Sequence, residues 1–70
     1  MRYRELTKRL KKMGCYQVRT GKGSHRLWYN PTTDSETVIA DWGGKDIPPG
    51  TVRGILKQLG IKRKDFGPIK

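Results

Sequence analysis

Apolar residues recur every three or four positions near the N-terminus, which is the spacing of one face of an α-helix. This stripe consists of Tyr3, Leu6, Leu10 and Met13. Most lysines and arginines of the segment fall outside it, and Gly14, which follows the stripe, is the residue type that commonly ends a helix. The pattern therefore predicts an amphipathic first helix that ends near Gly14.

The middle of the chain alternates apolar and polar positions, as half-buried strands do. In the first such segment, Tyr16 and Val18 are expected on one side, and Gln17 and Arg19 on the other. Clusters of Gly, Ser, Asn, Pro and Asp form turns between the segments, so the strands are expected to form an antiparallel meander. The predicted strands cover residues 15–20, 25–29 and 36–42.

A second helical stripe follows a loop rich in Gly and Pro that covers residues 43–51. The stripe is formed by Val52, Ile55, Leu56 and Leu59, and Gly60 is expected to end the helix. The basic tail, residues 61–70, is expected to be only partly ordered.

This order of elements predicts an α+β fold, α-β-β-β-α, in which both helices pack on one face of a three-stranded antiparallel sheet. The chain of 70 residues is expected to form a single domain, residues 1–70, because it is too short for a second core. The other face of the sheet is left for solvent or a partner. The expected core consists of Tyr3, Leu6, Leu10, Val18, Val52, Ile55, Leu56 and Leu59.

The formal net charge of +10 indicates an anionic partner, since the positive field around the protein attracts nucleic acid or anionic lipid. Cys15 is the one cysteine, which rules out an intramolecular disulfide and leaves no Cys/His cluster for zinc. We expect no metal and no cofactor. The N-terminus lacks the apolar run of a signal peptide, and no segment has the length of a membrane span, so a cytoplasmic protein that does not bind membranes is expected.

The single histidine, His25, is the first candidate for chemistry, because it follows a glycine-containing turn among cations. Cleavage of RNA at the ribose needs a base near the 2′-hydroxyl and positive groups around the phosphate, and neither role requires a metal. His25 is the candidate for the base. The candidates for binding the phosphate are Lys22, Arg26 and the amides of Gly23 and Ser24. The segment is also typical of an ordinary hairpin turn in a basic protein. Likewise, packing is the favoured role for Trp28, Tyr29 and Trp42, rather than stacking on bases.

A second candidate for anion binding runs from Lys45 to Thr51. Thr51 is placed to cap the second helix, whose first amides would then attract a phosphate. The same residues are equally compatible with a capped helix and no ligand. Asp46 is a possible second acid or base, but no spacing connects it with His25.

Taken in order, these segments resemble the HicA family of toxins, which are mRNA endonucleases with a fold like that of double-stranded-RNA-binding domains. The resemblance covers nearly the whole chain. It rests on the helix that ends near Met13-Gly14, and on residues 23–25, 28–31, 44–51 and 53–61. It implies the α-β-β-β-α fold, cleavage of mRNA with His25 as the catalytic residue, and a HicB-type antitoxin as partner.

The chain departs from the family at one position. Many relatives carry a further histidine just before the segment that corresponds to residues 44–51 of this chain. This chain has Asp41-Trp42-Gly43 there. If that histidine protonates the leaving group in relatives, then Asp41, a lysine or water must do so here.

Three hypotheses follow from these observations. The first is a toxin that acts as a metal-independent endoribonuclease, with His25 as general base and Lys22, Arg26 and Lys45 around the phosphate. The second is a non-catalytic module that binds double-stranded RNA through its helices and the turn at Lys22. DNA binding ranks third, since no helix-turn-helix spacing is present.

Overall fold

The computed structural model describes residues 1–20 and 23–69, apart from the side chain of Thr20. The first five elements follow the predicted order, so the α+β fold is confirmed, and a short third helix that was not predicted lies in the tail. They are α1 (Tyr3–Lys12), β1 (Tyr16–Thr20), β2 (His25–Asn30), β3 (Ser35–Ala40), α2 (Pro49–Gln58) and α3 (Arg63–Phe66). No helix in these described ranges is both long and apolar enough to cross a membrane.

The sheet has the strand order β1-β2-β3 with antiparallel pairing throughout. β2 and β3 pair without interruption, from His25 opposite Ala40 to Asn30 opposite Ser35. β1 and β2 pair less regularly, because the register shifts between Gln17 and Arg19. This β-bulge changes which side chains of β1 share a face.

The bulge makes two predictions for β1 wrong. Tyr16 lies opposite Tyr29 and Arg19 lies opposite Leu27, so Tyr16 and Arg19 share a face although they are an odd number of residues apart. Val18, expected in the core, is 50% exposed. Simple alternation fails here because the bulge adds a residue to β1 that has no counterpart on β2.

The core lies between the helices and one face of the sheet. Trp28 of β2 and Ile39 of β3 cover this face, and the indole N–H of Trp28 donates to the phenol oxygen of Tyr3 on α1 (3.2 Å). Apart from Val18, the predicted core is confirmed, with Tyr3 partly buried at its margin. The sequence prediction did not include several other buried residues, namely Met1, Cys15, Ile39, Ile47, Ile61 and Phe66.

Both long helices end as expected, at glycines with positive φ: +92° at Gly14 and +70° at Gly60. The end of α2 is also bound to the sheet. The amide of Asn30, which is buried, and the hydroxyl of Thr33 both donate to the carbonyl oxygen of Leu59, each at 2.8 Å. These bonds satisfy a helix-end carbonyl that would otherwise lack a partner.

The tail is more ordered than predicted over residues 61–69. Phe66 is buried, and the guanidinium carbon of Arg9 lies 5.2 Å from the centre of its ring. Arg9 also donates to the carbonyl oxygen of Pro68. The tail therefore packs against α1, since its one aromatic side chain supplies apolar area that the small core would otherwise lack.

Candidate nucleic-acid interface

His25 is the first residue of β2 and is exposed. It lies opposite Ala40, and the pairs Leu27–Val38 and Tyr29–Glu36 follow on the same side of the sheet. This side, away from the helices, is called the open face here. Its residues are Tyr16, Arg19, His25, Leu27, Tyr29, Glu36, Val38 and Ala40.

The turn that leads into His25 is held by backbone and side-chain bonds. Gly23 adopts a φ of +59°, which glycine tolerates best. The carbonyl oxygen of Ser24 accepts a hydrogen bond from the N–H of Asp41 (2.8 Å). A guanidinium nitrogen of Arg26 donates to the carbonyl oxygens of Gly23 (3.0 Å) and His25 (3.5 Å). The backbone next to His25 is therefore held by hydrogen bonds from the N–H of Asp41 and from the guanidinium of Arg26.

Arg26 does not share the open face with His25. It pairs with the buried Ile39, and its side chain is 25% exposed. Its Nη2 lies 4.0 Å from Oδ2 of Asp41, whose Oδ1 accepts a bond from the N–H of Gly43 (2.8 Å). Arg26 points away from the imidazole because adjacent strand residues point to opposite faces, and its contact with a phosphate stays a prediction.

The other predicted site residues are distributed unevenly. Ser24 is exposed beside His25, whereas Lys22 lies outside the described residues. Lys45 is exposed in the turn after β3, where its N–H donates to the carbonyl oxygen of Trp42 (3.2 Å). Because the end of β3 is bonded to the turn at Ser24, this loop lies at the same end of the sheet as His25.

Thr51 does not cap α2. The helix begins at Pro49, and its N-cap residue is Pro48, which makes no side-chain cap bond. The N–H of Thr51 donates to the carbonyl oxygen of Pro48 (3.0 Å), and prolines have no N–H. An anion at this helix end would therefore find few free amides. The early start is explained by the fixed φ of proline, which suits the first helical position.

Asp46 is bonded away from the open face. Its Oδ1 lies 3.6 Å from the N-terminal ammonium of Met1 and 4.0 Å from Nε of Arg2. An isolated bridge also pairs Arg2 with Asp46. These contacts connect the loop of residues 43–51 with the start of α1. The acid–base role considered above stays a hypothesis.

A cationic groove of about 860 Å³ lies next to this junction. It is bounded by α1 and by residues 46–49, and its cations are Arg2, Arg4, Lys8 and Arg9. Glu5 and Asp46 line it as well, so part of the positive charge is compensated locally.

The aromatic residues of the strands have three different environments. Trp28 is buried, as predicted, whereas Trp42 is 40% exposed in the loop after β3. Tyr29 lies on the open face and forms an edge-to-face pair with Tyr16, with ring centres 5.6 Å apart. This pair was not predicted from the sequence. Alternation along β2 from His25 would have placed Tyr29 on the same face. Alternation could not place Tyr16 there, because the bulge in β1 interrupts it.

Two groups have displaced pKa values. The hydrogen bond from the phenol of Tyr29 to Asp34 raises the pKa of Tyr29 above 10.0, with smaller contributions from desolvation and from nearby negative charge. Burial raises the pKa of the Cys15 thiol above 9.0. Within residues 1–20 and 23–69, no group of three His, Cys, Asp or Glu side chains is placed to hold a metal ion.

Fold and site together define a small basic α+β protein with one histidine on an open sheet face. Residues 3–61 match the family model described as the HicA toxin of bacterial toxin–antitoxin. The chain is also 39% identical over 62 residues to a probable mRNA interferase HicA from Pseudomonas fluorescens (strain Pf0-1), covering 89% of this chain and 98% of that protein. The chain belongs to the HicA toxin family. No solved structure matches it significantly.

Proposed function

We propose that this protein is the toxin of a type II toxin–antitoxin system and an endoribonuclease that cleaves mRNA without a metal ion, with His25 as general base. The observation that carries the proposal is the exposed position of His25 on the open face, next to a turn held by Ser24 and Arg26. Membership of the HicA family and the similarity to a probable mRNA interferase support the choice of RNA.

In this mechanism the imidazole of His25 removes the proton of a ribose 2′-hydroxyl. The 2′-oxygen then forms a bond to the adjacent phosphorus, and the bond from phosphorus to the 5′-oxygen breaks. The products are a 2′,3′-cyclic phosphate and a 5′-hydroxyl, whose proton comes from the imidazolium or from water. Charge that develops on the phosphate is stabilised by Lys22, Lys45 and the amides at Gly23 and Ser24.

The structure changes the role proposed for Arg26. Because its guanidinium is bonded to the carbonyl oxygens of Gly23 and His25, it acts through the backbone that carries the histidine. Thr51 also becomes a weak candidate for contact with RNA, since prolines precede it at the start of α2.

The test is cleavage of an mRNA by purified protein in the presence of a chelator, with wild type compared with His25→Ala. We expect new RNA ends with wild type and a loss of at least a hundredfold in His25→Ala, since general bases contribute about 10²–10⁴ in rate. Lys64→Ala is the control, because Lys64 is an exposed cation on α3. Cleavage that survives His25→Ala would refute the mechanism.

A second candidate function is a non-catalytic module that binds double-stranded RNA. The exposed cations Arg4 and Lys8 beside the groove at α1 favour it, since phosphates contact such surfaces. Intact RNA after incubation with wild type, together with strongly salt-dependent binding of duplex RNA, would establish this function in place of the first.

We also propose a HicB-type antitoxin as the partner and the cytoplasm as the place of action. An acidic partner would associate quickly with a chain of net charge +10 and would compete with RNA. Co-expression of the acidic open reading frame next to the toxin gene should restore growth. Unchanged growth arrest would count against this pairing.

A further inference from the structure

We propose that the open face binds single-stranded RNA and that Tyr16 and Tyr29 form a stacking platform for unpaired bases beside the reacting ribose. The inference rests on the proposed function, because it assigns a substrate class to the surface that carries His25. The evidence is the placement of three side chains on one face, together with the small formal charge of that face.

The positions of His25 and Tyr29 along β2 suit a bound RNA strand. His25 and Tyr29 are both on β2 and face the same side, four residues apart. At about 3.3 Å per residue, the strand places them about 13 Å apart, which a short stretch of extended RNA can span. A strand with its ribose at His25 therefore brings a base further along the same strand over the tyrosines when it runs along β2.

The two tyrosine rings are held in place before any RNA binds. The hydroxyl of Tyr29 donates to Oδ1 of Asp34 (2.7 Å), which fixes one ring. The rings of Tyr16 and Tyr29 meet at 67°, and Tyr16 is still 51% exposed. A ring that is already ordered loses little conformational entropy when a base stacks on it.

The charge of the open face favours single-stranded over double-stranded RNA. Among the described residues of the open face, the formal charges of Arg19 and Glu36 cancel, and Val38, which lies on β3 between Glu36 and Ala40, is 54% exposed. A surface with little net charge and exposed apolar side chains binds the faces of bases better than it binds the two phosphate backbones of a duplex. Bases within an A-form duplex are stacked and unavailable, and the helix also holds the 2′-oxygen out of line with the bond to be broken.

The test is binding of RNA to the full chain carrying His25→Ala, which keeps the RNA intact. The probes are a fluorescent ten-nucleotide RNA of mixed sequence and the same strand annealed to its complement, both at one salt concentration. Tyr16→Leu removes the ring while keeping an apolar side chain, and Tyr16→Phe keeps the ring. We expect the single strand to bind more tightly than the duplex, Tyr16→Leu to weaken it about tenfold, and Tyr16→Phe to retain affinity.

Equal affinity of Tyr16→Leu and Tyr16→Phe, or preference for the duplex, would overturn the inference. Thermal unfolding of each variant shows that the chain remains folded. If Tyr16→Leu leaves RNA binding unchanged but abolishes neutralisation by the antitoxin, the face binds a protein and the inference is wrong.

The same substitutions in the chain with His25 intact separate this inference from the proposed function. If the inference is correct, Tyr16→Leu raises KM for a single-stranded substrate and leaves kcat unchanged. His25-dependent cleavage with an unchanged KM would refute the stacking platform and leave the endoribonuclease standing. Ring-dependent binding of single strands without any cleavage by wild type would refute the endoribonuclease and leave the platform standing.

Discussion

The backbone N–H of Asp41 donates a hydrogen bond to the carbonyl oxygen of Ser24 over 2.8 Å. This bond joins the end of β3 to the turn before the proposed catalytic histidine. The carboxylate of Asp41 accepts a bond from the N–H of Gly43 and lies 4.0 Å from Arg26, which in turn bonds the backbone of the turn. Asp41 therefore holds the site in place from the face opposite to His25.

Substitutions at Asp41 separate a positioning role from proton transfer. Asp41→Asn keeps an oxygen for the N–H of Gly43, so we expect single-turnover cleavage within about threefold of wild type. Asp41→Ala loses that contact and should be slower by about tenfold or more, since small displacements at a reacting centre are costly. Asp65→Ala, in the exposed part of α3, is the control. Equal defects in the two Asp41 variants would instead identify the carboxyl as a proton donor.

Asn30→Ala should lower the free energy of unfolding by about 2 kcal/mol, because it removes a buried hydrogen bond to the carbonyl oxygen of Leu59. Thr33→Ala should cost less, since Asn30 still satisfies that carbonyl. The free energies of unfolding of the variants are compared by urea denaturation, and an unchanged m-value shows that only the stability has changed. Thr32→Ala, at an exposed neighbouring position, should change stability by less than about 0.5 kcal/mol. Similar losses in all three variants would contradict this account.

Arg9→Lys should release the tail from α1. A lysine keeps the charge but loses the planar group that lies over Phe66 and bonds the carbonyl oxygen of Pro68. We expect a loss of about 1 kcal/mol in stability and faster amide exchange in α3. Lys8→Arg, an exchange at an exposed position of the same helix, is the control. Unchanged exchange in α3 would show that Phe66 alone holds the tail.

Alkaline pH should destabilise wild type relative to Tyr29→Phe. The pKa of Tyr29 is raised above 10.0 in the folded protein, so the folded state keeps this proton when the unfolded chain has released it. The stability contributed by this group is complete below pH 10.0 and is lost as pH rises through the folded-state pKa. Unfolding midpoints measured from pH 8 to pH 11 give the comparison, with Tyr16→Phe as control. Parallel curves for wild type and Tyr29→Phe would refute it.

Much of the fold follows from local pattern. The stripes of α1 and α2, the glycines that end them and the three alternating segments were sufficient to predict the order of elements and most of the core. His25 was also identified from local features, as the one histidine in a basic turn. These features depend on residues that are near one another in the chain, where periodicity and turn chemistry decide the structure.

The predictions that failed depend on contacts between distant residues. A bulge in β1 exposed Val18 and brought Tyr16 opposite Tyr29, although alternation within β1 contains no sign of it. The tail is ordered because Phe66 packs against Arg9 and an apolar surface of α1.

The same distinction applies to the candidate site. Residue types indicated a candidate base and candidate cations, because proton transfer and charge are properties of individual side chains. Which of them face the substrate depended on the sheet: pairing placed His25 on the open face and directed Arg26 to Asp41 on the other. Strand register is set by the packing of the whole core, so the assignment of faces required the tertiary structure.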